Sequence, residues 1–189
     1  MKVKTVSESE NTLILEFKNV DNALVNAIRR ICIAEVETYA IDTVDFIVND
    51  GALNNEYVAH RLGLCVLKVT GKLENNNKIS TDFICENNKE YVYLRDFDFP
   101  ENVEPVYPDT KITILTKGQS FRITANISKG SGLTHAKWSP VCPAFFKKIE
   151  NDKYHLIIES TGSLTPRTIY TQALDTLEQK LHKVQFEIS

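Results

Sequence analysis

Several groups of residues in this 189-residue chain are of types that can do chemistry. His135 and Cys142 share the stretch "KGSGLTHAKWSPVCP" (129–143), and a thiol with an imidazole is the pair a nucleophilic hydrolase uses. Against that reading, Cys142 stands between Val141 and Pro143, an apolar setting where cysteines pack rather than react, and nothing nearby marks an oxyanion hole. His60 and Arg61 are adjacent in "AHRLGL", where a hydrogen-bonded helix pair is simpler than an acid–base pair. Trp138, the one tryptophan, has the ring to stack on a base, but a single loop tryptophan more often anchors its loop to the core. "KGSG" (129–132) lacks the Gly-Lys-Ser/Thr ending of a phosphate-cradling loop. Cys32, Cys65, Cys85 and Cys142 are too far apart for a CxxC pair or a zinc ribbon. The expectation is reduced thiols in an intracellular protein, with no metal and no cofactor. That leaves Arg29 and Arg30, side by side in "NALVNAIRRICIAEVETYAIDTV" (22–44). Paired arginines are ordinarily a solvated face; beside buried apolar surface they suit bidentate contacts to carboxylates across an interface.

Composition narrows the classes. With 42% hydrophobic residues the chain can bury a core in one domain or two small ones. A net charge of −3 and a pI of 5.8 are a poor footprint for gripping nucleic acid alone. The N-terminus "MKVKTVSESENT" has no apolar core of a secretion signal, and no apolar run approaches the roughly 20 residues of a membrane span.

The elements that must position these residues alternate as α+β. "NTLILEFKN" (11–19) alternates Leu13, Leu15 and Phe17, the period of a half-buried strand, and pairs with 2–7 across "SESE". A helix follows, capped by Asp21 or Asn22. "DTVDFIVND" (42–50) reads as a strand and "NNEYVAHRLGLCVL" (54–67) as a short helix ending near Gly63. The middle, 68–110, resists assignment; "NNN" (75–77) and "PENVEPVYPD" (100–109) read as loops. "KITILT" (111–116), "QSFRITANIS" (119–128) and "YHLIIES" (154–160) read as strands, 129–143 as a long loop. A closing helix begins near Pro166, with Thr165 as its cap.

Two helices carry unusual apolar surface. In the last, Tyr170, Leu174, Leu177, Leu181, Val184 and Ile188 recur at alternating steps of four and three, an a/d seam. Such a seam packs on the domain's own sheet or on another chain; the scarcity of long helices here favours another chain. In the first helix, Leu24, Ala27, Ile28, Ile31 and Ala34 share one face, which Val25 and Cys32 widen. That arc is wide enough to touch both the chain's own sheet and a partner.

"NALVNAIRRICIAEVETYAIDTV", then "EYVAHRLGL", "HAKWSPV" and "ESTGSLTPRTIYTQALDTLEQKL" (159–181), resemble, in the family's order, the alpha-like subunit of multisubunit RNA polymerases. This family holds the third-largest subunit of eukaryotic polymerase II, its counterpart in polymerases I and III, the archaeal D-type counterpart and, more distantly, the bacterial alpha N-terminal domain. The resemblance covers most of the chain except about 68–110 and implies an assembly scaffold, not a catalyst. It implies a discontinuous dimerisation domain (antiparallel sheet plus two helices) at 1–49 and 151–189, with a β-rich domain inserted at 50–150. It implies pairing with a smaller alpha-like (L-type) subunit through Leu24, Ile28, Ile31 and the closing seam. It implies docking of the second-largest, beta-like subunit near Arg29 and Arg30. His60 and Arg61 are either a packing element or a further contact to that subunit. Small zinc-binding subunits join such platforms, and DNA is met only through the complex. Eukaryotic members hold zinc in the insert with clustered cysteines, and some archaeal members add an iron–sulfur domain; Cys85, alone between Cys65 and Cys142, cannot supply the four ligands zinc needs. A reduced form encoded by a large DNA virus and a compact archaeal form both fit the length, so cytoplasm, nucleus and virion stay open. The alternatives are a free-standing α+β dimer or ligand-binding module with this fold and, remotely, a thiol hydrolase.

Overall fold

The computed structural model describes residues 1–71, 73 and 78–188, with side chains to 187. The expected loop at 75–77 lies outside the described residues. The chain is α+β and forms two compact units: Met1–Thr38 with Gly130–Ser189, and Tyr39–Lys129.

The first unit is a four-stranded antiparallel sheet with two helices on one face. Strands β1 (Lys2–Glu8) and β2 (Thr12–Lys18) form a hairpin closed by Ser9, whose N–H donates to the Thr12 carbonyl. Helix α1 (Asn22–Ala34) follows, its N-terminus capped by Asp21, which accepts from the Ala23 N–H at 2.8 Å. The late part of the chain returns as two strands and a helix. In chain order these are the tenth and eleventh strands, β10 (Val141–Glu150) and β11 (Lys153–Ser160), and helix α3 (Pro166–Ile188). The sheet order is β1-β2-β11-β10. Leu13, Leu15 and Phe17 of β2 lie beside Ile158, Leu156 and Tyr154 of β11, and all six are buried under the helices. Period two along each strand produces this: one face is apolar, the other carries Ile14, Glu16, His155 and Ile157. Thr165 caps α3, accepting from the Thr168 N–H, and Pro166 occupies the first turn.

The second unit contains β3 (Glu37–Asn49), α2 (Asn55–Gly63), β4 (Leu67–Val69), β5 (Lys78–Ile84), β6 (Lys89–Tyr93), β7 (Val103–Pro105), β8 (Lys111–Thr116) and β9 (Ser120–Ser131). The strands pair in small groups, β3-β9-β5, β4-β7 and β6-β8. Phe121 centres the core, meeting Phe46 and Phe97 edge to face at 6.5 Å each. Val58 and Leu62 of α2 are fully buried.

The units part elsewhere than at 49/50 and 150/151. β3 is one strand from Glu37 to Asn49 and belongs with β9 and β5, so the first boundary falls at its start. β10, within and beyond the segment 129–143 expected as a loop, pairs with β11 in the first sheet, so the second boundary falls at 129/130. It escapes sequence reading because Pro143 and the doubled Phe145–Phe146 and Lys147–Lys148 obscure its alternation. As an edge strand it tolerates the proline, with a register shift between Val141 and Ala144.

Candidate assembly surface

The first half of α3 is built into its own unit. Ile169 and Ala173 are fully buried, with Tyr170 and Leu177 half-buried beside them. Burial raises the Tyr170 hydroxyl pKa; the Cys32 thiol adds to this and Arg167 opposes it. Arg167 Nε donates to Glu8 Oε1 at 2.8 Å and ties the helix start to the end of β1. Further along, Lys180 Nζ lies 2.5 Å from Glu35 Oε1, just beyond α1. There the packing ends, for every residue from 178 to 187 is exposed. Of the expected seam, Leu174 is 36% exposed, Leu181 63% and Val184 56%. Leu174, Leu177 and Leu181 line a shallow groove with Glu178, His182 and Gln185. The side chain of Ile188 lies outside the described residues. Phe186, 86% exposed, projects from another side of the helix and was not anticipated.

Helix α1 requires a correction. Ile28 and Ile31 are 2% and 3% exposed, closed within the core of their own unit, and leave no surface for a partner. The cause is placement: α1 packs against α3 on one side and against β10 and β11 on the other, so its wide apolar arc is consumed internally. Leu24 remains half-buried at the margin. Arg29 is half-buried, its Nε donating to Asn26 Oδ1 at 3.0 Å, while Arg30 is exposed.

His60 and Arg61 sit on α2, in the second unit, whereas the α3 seam belongs to the first. His60 is exposed. The Arg61 guanidinium donates to the Lys111 carbonyl and lies 5.9 Å from the Tyr57 ring centre. These contacts hold Arg61 within its own unit, and its buried Nε has no hydrogen-bond partner among the described residues.

Apart from the anchoring by Trp138, the sequence assigns no role to the segment from Gly130 to Ser139. It wraps the C-terminal end of α1. The Leu133 N–H donates to the Ala34 carbonyl at 2.7 Å and Ser139 Oγ to the Ile33 carbonyl at 3.1 Å, satisfying acceptors that a helix end leaves open. Thr38 Oγ1 donates to the Trp138 carbonyl at 2.7 Å. The approach is close enough to require glycine twice. A Cβ on Gly132 would stand 2.3 Å from the Ile33 carbonyl oxygen, and one on Gly130 2.5 Å from the Trp138 ring. Trp138 is buried, in agreement with the anchoring role. The segment holds Leu133 outward, 78% exposed. The signal was the Gly-x-Gly spacing, legible only once the helix end beneath it is known.

No hydrolytic centre emerges from the thiols. His135 Nδ1 accepts the Lys137 N–H at 3.1 Å, and its ring stands edge-on to Trp138. Cys142 is exposed rather than packed as expected, because the strand alternates and Val141 takes the buried side. Burial pushes Cys32 up to about 12 and Cys65 to about 11, Arg61 opposing slightly at Cys65. Among the described residues no three His, Cys, Asp or Glu side chains gather as metal ligands would. Among the described residues no helix is long and apolar enough to cross a membrane.

The arrangement is thus a surface rather than a cleft. The family model of the RNA polymerase Rpb3/Rpb11 dimerisation domain matches residues 15–181. The chain belongs to this alpha-like polymerase subunit family. Relatives agree. The subunit is 36% identical to the DNA-directed RNA polymerase subunit Rpo3 of Methanocaldococcus jannaschii, over 82% of this chain and 79% of that one. It is 36% identical to Rpo3 of Pyrococcus horikoshii, over 74% and 57% respectively. To the DNA-directed RNA polymerases I and III subunit rpac1 of Dictyostelium discoideum it is 30% identical, over 84% and 58%. It spans somewhat more than half the length of the latter two. The chain is therefore a non-catalytic, alpha-like subunit of a DNA-directed RNA polymerase.

Proposed function

We propose that this subunit is the larger of two alpha-like chains and that the exposed half of α3 is where the smaller, L-type chain docks. The observation that carries the reading is the exposed seam of Leu174, Leu181 and Val184 on a helix whose residues 178–187 are all exposed. Apolar area of this kind gains about 25 cal/mol per Å2 when a second helix covers it. Tyr170 and Leu177 form its half-buried root, and Leu24 lies at its margin. The pair then forms a platform for the second-largest, beta-like subunit, with Arg29, Arg30 and His60 as contacts, while Arg61 braces its own unit through the Lys111 carbonyl. Small zinc-binding subunits complete the assembly, which meets DNA only as a whole, in the cytoplasm or nucleus. The first 49 and last 39 residues are the expected pairing domain; the unit Met1–Thr38 with Gly130–Ser189 is the better working boundary.

The test is co-expression with the L-type chain of the same source. Leu181→Asp places a carboxylate in the seam, where burying an unpaired charge is opposed by several kcal/mol. Co-purification should fail, while the variant alone keeps its circular dichroism and melting temperature. Unchanged pairing would mean that the seam is not the interface. Formation of a tight homodimer that excludes the small chain would favour a free-standing dimer instead.

A further inference from the structure

The second face of the four-stranded sheet, opposite α1 and α3, is a patterned surface that the pairing scheme does not use. Register aligns three rows across it. Lys2, Lys18 and Lys153 form one row, and Lys4, Glu16, His155 and Lys147 the next. The third joins Ile14, Ile157 and Phe145. Glu16 is enclosed by its neighbours: Lys18 Nζ lies 3.1 Å away, Lys153 Nζ 3.4 Å and His155 Nε2 3.4 Å. Its side chain is only 14% exposed. Two other carboxylates border the face, Glu150, 3.9 Å from Lys153, and the exposed Glu159 opposite Thr12. Lys2, Lys4 and Lys147 are exposed and have no carboxylate within ion-pair distance among the described residues. A chain of net charge −3 thus gathers five lysines and a histidine here. Directly beside them, Phe145 is 49% exposed on the edge strand and extends the half-buried Ile14 and Ile157.

We infer that this face docks an acidic protein segment that places a large apolar side chain on the Phe145–Ile157–Ile14 row and its carboxylates over Lys147, Lys4 and Lys2. Charge complementarity selects the acid. The apolar row selects a polypeptide over a nucleic acid, because a phosphate backbone has nothing to bury there and meets Glu16 at the centre of the cations. The rim lysines gain attraction without losing an existing partner, whereas those around Glu16 stay committed to it. The surface is separate from the α3 seam, so the proposal stands or falls independently of the pairing partner.

The test uses the full chain and a fluorescent peptide of alternating Glu and Leu, followed by anisotropy. Saturable binding is expected, weakening at least tenfold between about 50 and about 300 mM salt. A Gln–Leu peptide of the same length should bind at least tenfold more weakly. Lys147→Glu with Lys4→Glu should weaken the Glu–Leu peptide at least tenfold, as should Phe145→Ser. Leu181→Asp should leave binding unchanged. All of these positions are substantially exposed, and circular dichroism verifies the fold of each variant. The proposal is overturned by absent binding, by equal binding of the Gln–Leu peptide, or by indifference to the Lys147, Lys4 and Phe145 changes. It is equally overturned by loss of binding in Leu181→Asp, which would place the peptide on α3, and by tighter binding of a single-stranded oligonucleotide of similar length.

Discussion

At the scale of single residues, three positions make sharp claims. Glu16 has its carboxyl pKa lowered from 4.5 to about 2, chiefly by its hydrogen bond to Lys18 and further by His155 and Lys153, against desolvation. Because the folded value lies below the unfolded one, its contribution to stability is complete above about pH 4.5 and disappears as pH falls toward 2. Glu16→Gln should therefore flatten that acid limb, read as the urea midpoint measured across this window. The thiols divide by exposure. Native alkylation followed by mass spectrometry should modify Cys142 and spare Cys32, Cys65 and Cys85, all buried. Extensive labelling of Cys32 without unfolding would contradict the packing of α1. Gly132→Ala drives a methyl group against the Ile33 carbonyl oxygen. A loss of about 1–3 kcal/mol is expected in chemical denaturation, the range for forced overpacking.

At the scale of elements, α3 is two things in succession. Its first half is core. Ile169→Ala, at a fully buried site, should destabilise the first unit by about 2–5 kcal/mol. Its second half is surface, and Val184→Ala in the isolated chain should change stability by less than about 0.5 kcal/mol, both values read from urea unfolding. This division marks how far the amino-acid pattern reaches. The 4-3-4-3 spacing that places Tyr170, Leu174, Leu177, Leu181 and Val184 on one stripe was plain, as were the alternation of β2 and the caps at Asp21 and Thr165. Ile28 and Ile31 could not be placed the same way. Periodicity reports that a face is apolar, not which neighbour covers it, and α3 and β10 are supplied by segments more than 100 residues away. β10 was hidden by its proline and doubled residue types, and the short strands of the middle region by their length of three to seven residues. The close approach of Gly130 and Gly132 depends on the helix end they lie against, which local sequence does not encode.

At the scale of the whole molecule, the subunit presents a finished interior and an unfinished exterior. Its two cores are closed, yet Leu181, Val184 and Phe186 remain in water on one projecting helix. The free chain should self-associate with rising concentration, as analytical ultracentrifugation will show, and revert to a single 1:1 species when the small alpha-like chain is added. The split of the first unit across the sequence has a further outcome. β2 stands between β1 and β11, so half of its backbone bonds await residues 153–160. On the ribosome, where an N-terminal domain ordinarily folds first, this order is reversed. Residues 39–129 emerge with all their strands at hand, while the β1–β2 hairpin and α1 must wait for β10, β11 and α3. A product that stops before residue 153 lacks β11 and α3, so it has neither a completed sheet nor the α3 seam to offer.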